Sequence, residues 1–381
     1  MVLRLLRFLL PALGLLAAVA SPAAPVPSPP DVAGQAAFLM DFSSGRTLAA
    51  QDADKPWPPA SLAKMMTLYT AFKAVENDSI SMDGKVRVSE KAWRAPGSRM
   101  FLEVGDRVPV NRIIKGVIVE SGNDACIALA EHVAGTEDAF VELMNTHARE
   151  LGLKSTHFAN STGLPAEGMK TTARDMGHLA AALIREFPQH YPMFAIRKMT
   201  YNDVGPQYNR NRLLWWDETV DGVKTGHTEK AGYHLVASAK REGMRLISVV
   251  MGTESERTRT EESQRLLNYG FRFYRTYKLY SAGENLHQVR VWKGARNQVQ
   301  VALQKDLFVT IPRGQRKNLK VTLDFQEPLT APVEKGREVG KLTAKLGGEA
   351  LAVRPLTTVK PVAEGGLFRR LIDSFRLWLA E

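Results

Sequence analysis

The chain has one cysteine in 381 residues. A single thiol excludes an intramolecular disulfide framework and any zinc site made of clustered cysteines. Histidine is sparse as well, at eight, and none stands in H-E-x-x-H or comparable metal-ligand spacing. No metal or other cofactor is expected. There is no glycine-rich phosphate loop and no internal repeat. The apolar stretch at the start of the chain, Phe8 to Val19, has 12 residues. A bilayer span needs about 20. Acid is in short supply: 40 acidic against 51 basic side chains leave a net charge of +11. That balance suits nucleic acid, an anionic membrane or an anionic polymer. With 44% apolar and 24% charged residues, the composition excludes a mainly disordered or fibrous chain. The length predicts two folded units.

The N-terminus narrows the partners. Arg4 and Arg7 form a basic region before the apolar stretch, and Ala18-Val19-Ala20 supplies an A-x-A cleavage site. Residues 1–20 read as a secretory signal peptide, with Ser21 the new N-terminus. No cysteine follows the site, which excludes a lipoprotein. Cleavage removes two arginines and no acid, so the mature chain carries +9. An exported protein rarely meets nucleic acid. The charge then points to a membrane surface or a cell-wall polymer.

Residues 21–34 are rich in Pro, Ala, Ser and Gly and read as a linker. A first domain is expected over 35–280. It opens with a strand, a Ser43-Ser44-Gly45 turn and a second strand. Helices are expected from Ser61 to about Val75 and near 110–119, 123–134, 137–151 and 172–186. Two apolar strands, Tyr233–Ala239 and Leu246–Met251, flank a polar turn at Lys240–Gly243. Residues 257–278 read as one long helix closing the domain. Leu319, Val321, Leu323 and Phe325 alternate with polar residues, the period of a half-buried strand. Similar runs, punctuated by Gly and Pro, predict a small β-sandwich over 281–361. Residues 362–381 return to helical periodicity.

Chemistry first shows in Pro58-Pro59-Ala60-Ser61-Leu62-Ala63-Lys64. Two prolines are tolerated just before a helix and not inside one. Ser61 therefore stands at a helix start, with Lys64 one turn on along the same face. Serine is a poor nucleophile until its proton is removed. A lysine whose pKa is lowered by burial or by a nearby cation can remove it. Leu62, Met65, Met66, Leu68, Tyr69 and Phe72 cover most of this helix, which predicts a buried one. Taken alone, S-x-x-K is ordinary helix-start chemistry. Ser121-Gly122-Asn123 lies between two apolar helical runs, where a tight loop can aim a hydroxyl and an amide into a cleft. Lys224-Thr225-Gly226 follows Asp221-Gly222, and a glycine on a strand edge lets a substrate backbone lie alongside. The ordered set S-x-x-K, S-x-N, K-T-G is specific to penicillin-recognising serine enzymes.

Ser61–Thr67, Ser121–Cys126, Asn209–Trp215 and Asp221–Thr228 resemble the D-alanyl-D-alanine carboxypeptidases. These are low-molecular-mass penicillin-binding proteins, serine peptidases of the S11 type. The resemblance spans nearly the whole mature chain. It implies an α/β (α+β) catalytic domain of the β-lactamase/transpeptidase type, with an antiparallel sheet and helices. A small all-β domain and a C-terminal amphipathic helix would follow. It also implies removal of the terminal D-alanine from a peptidoglycan pentapeptide, and acylation by β-lactam antibiotics. Ser61 would be the acylated nucleophile, Lys64 the proton acceptor and Ser121 a proton relay. Lys224 would help keep Lys64 neutral, and Asn123 would hold the peptide and Lys64. The main-chain N–H groups of Ser61 and His227 would form the oxyanion hole, with Gly226 between strand and substrate. Thr225 and Arg259 would bind the terminal carboxylate, Arg257 being the alternative match.

Rival readings share the nucleophile. Class A β-lactamases carry a deacylating Glu near an Asn on a loop after S-x-N. Here that stretch reads Ala159-Asn160-Ser161-Thr162-Gly163-Leu164-Pro165, and Glu167 stands in a different setting. A D,D-endopeptidase is a closer rival, and a non-enzymatic wall-binding protein a more distant one. Cys126 lies in an apolar run and reads as a small core residue. Trp215 and Trp216 read as core or cleft wall. In the last segment Leu367, Phe368, Leu371, Ile372, Phe375, Trp378 and Leu379 recur at helical spacing, opposite Arg369, Arg370, Asp373 and Arg376. This suits an interfacial helix on anionic lipid. Gly365-Gly366 reads as a flexible break that frees it. The resemblance implies the location: the periplasm, on the outer leaflet of the inner membrane.

Overall fold

A computed structural model describes residues 26–202, 205–326 and 328–379. The expected signal peptide lies outside the described residues. The first domain begins with β1 (Ala36–Asp41), β2 (Thr47–Gln51), α1 (Lys64–Glu76), β3 (Lys85–Arg87), α2 (Glu90–Trp93) and β4 (Arg107–Pro109). It continues through α3 (Val110–Val119), α4 (Asn123–Ala134), α5 (Glu137–Glu150), α6 (Ala173–Glu186), β5 (Lys198–Thr200) and β6 (Pro206–Tyr208). It closes with α7 (Leu213–Trp216), β7 (Val220–Thr228), β8 (Gly232–Arg241), β9 (Met244–Thr253) and α8 (Glu256–Phe273).

Five strands form an antiparallel sheet in the order β2-β1-β9-β8-β7. Alternation along β1 sorts its side chains. Ala36, Phe38 and Met40 join the core shared with α1, α3, α4, α5 and α6, whereas Ala37 and Leu39 face α8. The inner strands β1 and β9 are largely apolar on both sides because helices cover both faces. The turn between β8 and β9 has Glu242 at φ +48° and Gly243 at φ +80°. Two positive φ values in a two-residue turn match the right-handed twist of the flanking strands. Helix α1 is buried on nearly all sides, with Met65, Met66, Leu68, Tyr69 and Phe72 in the core. Each such side chain stabilises the fold by roughly 1.5–3 kcal/mol. That helix is the rigid post on which Ser61 and Lys64 are mounted.

The second domain differs from expectation at its start. Helix α8 ends at Phe273, and Tyr274–Tyr280 forms strand β10. This strand pairs antiparallel with β13 (Leu307–Pro312, after β11, His287–Arg290, and β12, Gln298–Ala302), Tyr274 opposite Pro312. The ladder to β13 outweighs helical continuation. The remaining strands are β14 (Leu319–Phe325), β15 (Glu338–Leu346) and β16 (Glu349–Thr358), in a sheet ordered β11-β12-β16-β15-β14. The β1–β2 turn docks on this domain. Asp41 Oδ2 accepts from Thr276 Oγ1 at 2.7 Å, Ser44 Oγ lies 2.6 Å from Thr310 Oγ1, and the Arg46 guanidinium donates to Thr310 O at 2.8 Å.

Two other segments depart from the sequence reading. Residues 26–34, expected as linker, lie against the first domain: Val32 is buried, its N–H donates to Gln51 Oε1 at 2.9 Å, and Tyr269 donates to Pro27 O at 3.0 Å. The terminal helix α9 (Leu367–Trp378) is held rather than free. Gly365 N–H donates to Lys293 O at 2.8 Å, and a side chain at Gly365 would meet Gly294 O at 2.9 Å. Glycine stands there because two backbones touch, not because the chain must flex.

Candidate active site

Ser61 sits in the single 3₁₀ turn Ala60–Ala63 that feeds α1. Ala60 has φ +47°, a strained setting for alanine worth roughly 1–2 kcal/mol. Neighbours on two sides hold it. Gly163, at φ +83°, presses on the Ala60 carbonyl so closely that a side chain there would overlap it. On β7, a side chain at Gly226 would come within 3.3 Å of Ser61 N and 3.2 Å of Leu62 N. The buried His234 of β8 fixes the near end of the turn. Gly252 N–H donates to its Nδ1 at 2.9 Å, which leaves the ring hydrogen on Nε2, 3.0 Å from Pro58 O. Burial lowers the His234 pKa to about 4, so the ring is neutral at physiological pH.

Lys64 is fully buried. Its Nζ lies 3.1 Å from Ser61 Oγ, 2.7 Å from Asn123 Oδ1 and 2.5 Å from Thr162 O. Asn123 Nδ2 donates to Pro96 O at 2.6 Å, which turns Oδ1 toward the lysine. Asn123 Oδ1 and Thr162 O can only accept. They match the two hydrogens of a neutral amine, whose lone pair then points to Ser61 Oγ. Burial pushes the Lys64 pKa below its ordinary value, and the charge on Arg210 adds to that against Cys126 and Asp124. The Thr162 carbonyl is itself positioned. Asn160 Oδ1 accepts from Thr162 Oγ1 at 2.9 Å and from Gly163 N at 2.8 Å, and Thr67 Oγ1 donates to Ser161 O at 2.6 Å.

Ser121 stands at φ +62° just before α4. Asp124, in the first turn of α4, accepts from Met100 N at 2.8 Å and Leu102 N at 3.1 Å, which ties a loop across the cleft to this helix. Lys224 Nζ donates to Ser121 Oγ at 3.0 Å and to Thr225 O at 3.1 Å. Its pKa falls well below the ordinary value, through burial first and repulsion by Lys64 second. Ser61, Lys64, Ser121, Asn123 and Lys224 thus form one cluster from three separate stretches of chain. It can activate a serine and pass a proton on.

Comparisons with known proteins identify the family. Residues 23–255 match the family model described as D-alanyl-D-alanine carboxypeptidase, peptidase S11. Residues 274–364 match the model of the penicillin-binding protein 5 C-terminal domain. The chain belongs to the D-alanyl-D-alanine carboxypeptidase family. It is 46% identical to the D-alanyl-D-alanine carboxypeptidase DacC of Escherichia coli K12, covering 90% of this chain and 88% of that one. DacA of the same strain is 41% identical, over 92% and 89%. The crystal structure of penicillin-binding protein 5 from Haemophilus influenzae superposes with a TM-score of 0.85 at 40% identity, covering 88% of this chain and 99% of that one.

Within this family fold, β7 is the edge strand and carries Lys224, Thr225, Gly226 and His227. Thr225 is buried, and His227 is exposed with its ring stacked on Tyr233, centroids 3.9 Å apart. Arg259 is buried behind this strand. Its guanidinium reaches Gly226 O at 3.4 Å, Arg210 O at 3.3 Å and Glu256 Oε1 at 3.2 Å, while Nε has no partner among the described residues. Burial lowers its pKa to about 10, which leaves it charged at neutral pH. Arg257 points to solvent and pairs with Glu261 at 2.7 Å, so the structure places Arg259 and not Arg257 beside K-T-G. Glu167 is exposed, and the buried Glu137 is occupied by Lys91 at 2.8 Å and Ser161. Cys126 is buried and its thiol is pushed up to about 12. Trp215 and Trp216 are both exposed, which corrects a core reading. Trp215 lines a cavity of about 640 Å³ with Tyr208, Arg210, Arg212 and Glu256.

Sequence reasoning missed Thr162, Gly163, Arg210 and His234. For the first two a signal existed: Asn160-Ser161-Thr162-Gly163 is an Asx-turn string ending in glycine.

Proposed function

We propose that the protein is an exported serine-type carboxypeptidase that removes the terminal D-alanine from peptidoglycan pentapeptides. Ser61 Oγ attacks the penultimate carbonyl carbon while its proton passes to the neutral amine of Lys64. The negative oxygen that develops is held by the N–H groups of Ser61 and His227. Ser121, bridged to Lys224, relays a proton to the leaving nitrogen. The C–N bond breaks, D-alanine departs, and the acyl group stays on Ser61 until water hydrolyses the ester. Asn123 orients the peptide and Lys64. The substrate strand lies along the edge of β7; Gly226, expected to leave room for its backbone, instead lets β7 close on the Ser61 turn. Thr225 and Arg259 take the terminal carboxylate.

The observation that carries this reading is the placement of the Lys64 amine. It is buried and held by two acceptor-only oxygens, with Ser61 Oγ 3.1 Å away. Penicillins would acylate the same serine and remain there, since Ala159–Pro165, the stretch after S-x-N, holds no acid and Glu167 is exposed. The export signal and α9 support a periplasmic location with attachment to the outer leaflet of the inner membrane.

Benzylpenicillin followed by peptide mass spectrometry should place one adduct on Ser61, and Ser61→Ala should abolish both adduct and D-alanine release. An adduct on another residue would sink the mechanism.

A further inference from the structure

Helix α9 exposes Leu367, Phe368, Leu371, Ile372, Phe375, Trp378 and Leu379 on one face. Its other side is clamped to the β domain. Asp373 is only 7% exposed, and its Oδ2 accepts the Lys293 main-chain N–H at 2.8 Å. Arg370 pairs with Glu364 at 2.7 Å. The helix therefore keeps a fixed rotation, with its apolar face outward.

Beside that face, between α9 and the β11–β12 hairpin, lies a cleft of about 650 Å³. Arg290, Asn297, Gln298, Arg369, Asp373 and Arg376 line it. Among the described residues none of the three arginines makes an ion pair with a carboxylate. The Arg290 guanidinium stacks over Trp292, its carbon 3.5 Å from the ring centroid, which fixes the plane of the fork and leaves its N–H edge open. Asp373 is the one acid in the lining, and one of its oxygens is taken by Lys293.

The helix geometry says what sits opposite. At about 100° per residue, Arg369 and Arg376 lie about 60° and 40° around α9 from Ile372, the edge of the apolar face. With that face at the acyl boundary, their guanidinium groups come to headgroup depth. Arg290 meets them from the strand side. An arginine fork matches two phosphate oxygens.

We propose that this cleft holds the phosphodiester of an anionic phospholipid, so that the β domain and α9 grip the membrane together. The proposal rests on the reading of α9 as a membrane-bound helix. The amides of Asn297 and Gln298 supply donors for the remaining headgroup oxygens.

Vesicle flotation of the full mature chain tests it. Arg290 lies off the helix and far from Ser61, so Arg290→Gln leaves α9 and penicillin acylation intact. It should weaken binding to phosphatidylglycerol vesicles about fivefold, the scale of one basic residue at an anionic surface. Binding to phosphatidylcholine vesicles should not change. Lys341→Gln, which removes an equal charge outside the cleft, should have a smaller effect; equal losses would show general attraction and overturn the site. If inorganic phosphate at constant ionic strength binds the cleft yet leaves vesicle binding unchanged, the cleft takes free phosphate and the lipid assignment fails. Truncation after Glu364 separates the two readings. Retained vesicle binding would refute the anchor itself, whereas lost binding with a normal Arg290→Gln variant would refute only the cleft.

Discussion

Gly163→Ala is the sharpest test of how the nucleophile turn is held. An added Cβ would lie 2.5 Å from the Ala60 carbonyl carbon and nearer still to its oxygen, whereas real Cβ atoms essentially never come within 3.0 Å of such atoms. Neither partner is a flexible side chain. The loop and the Ser61 turn must therefore part. The same loop carries Thr162 O, which holds Lys64, so the shift reaches both nucleophile and base. A misplacement of about 1 Å at a reacting centre costs on the order of 100-fold in rate. The φ of +83° adds roughly 1–2 kcal/mol of backbone strain.

Gly168→Ala supplies the control. It has a similar φ of +74°, but its nearest neighbour is a side-chain carbon of His157 at 3.7 Å. It should carry the backbone cost without the overlap. At about 2–4 °C per kcal/mol, Gly168→Ala should melt a few degrees lower, and Gly163→Ala, which adds the overlap, lower still. Acylation by a fluorescent penicillin should fall about 100-fold for Gly163→Ala and hold near wild type for Gly168→Ala. If Gly163→Ala acylates within threefold of wild type, or both variants lose acylation alike, the loop does not position the serine as argued.

Lys64 must be neutral to accept the proton, and burial lowers its pKa, so acylation should rise with pH through a midpoint below 10.5 and then level off. Lys64→Arg should fold, label poorly and lose that rise, because an arginine does not deprotonate; a wild-type rate would assign the base elsewhere. Arg259→Ala should cut turnover of a D-Ala-D-Ala peptide about tenfold or more, the scale of a lost charge-assisted hydrogen bond. An amidated substrate should be affected much less. Equal losses on both substrates would make Arg259 a support for β7 through Gly226 O rather than a reader of the carboxylate.

Much of the site was legible because its chemistry lies in side chains at fixed spacing. Ser61, Lys64, Ser121, Asn123 and Lys224 could be named in advance, and the structure brings them together. What stayed hidden works through the main chain. Thr162 contributes a carbonyl, which any residue type would supply. Gly163 matters through the space it leaves at Ala60. His234 acts through Pro58 O and Gly252 N, a partnership set by the β8–β9 register. The boundary at Tyr274 was misread for a related reason. Its alternation of aromatic and polar residues fits a helix flank or a strand, and the β13 ladder decides. The clamp on α9 was invisible because Asp373 is held by a main-chain N–H of Lys293.

The buried lysines show why the site had to be assembled from distant segments. Two ammonium groups in one dry cleft are costly to charge. The fold lowers the pKa of both, so below pH 10.5 the unfolded chain binds more protons at these positions than the folded one. Their contribution to stability therefore grows as pH rises toward 10.5 and shrinks as pH falls through the folded values. Near neutrality the protein gives up stability to keep a base beside Ser61. Acceptor-only oxygens make that bearable: Asn123 Oδ1 and Thr162 O for Lys64, and Thr225 O for Lys224. Asn123 comes from the α4 start, Thr162 from the loop after α5, and Thr225 from the sheet edge. No single helix or strand could set three such oxygens around two amines, and the strain at Ala60 and Ser121 lies where these segments meet.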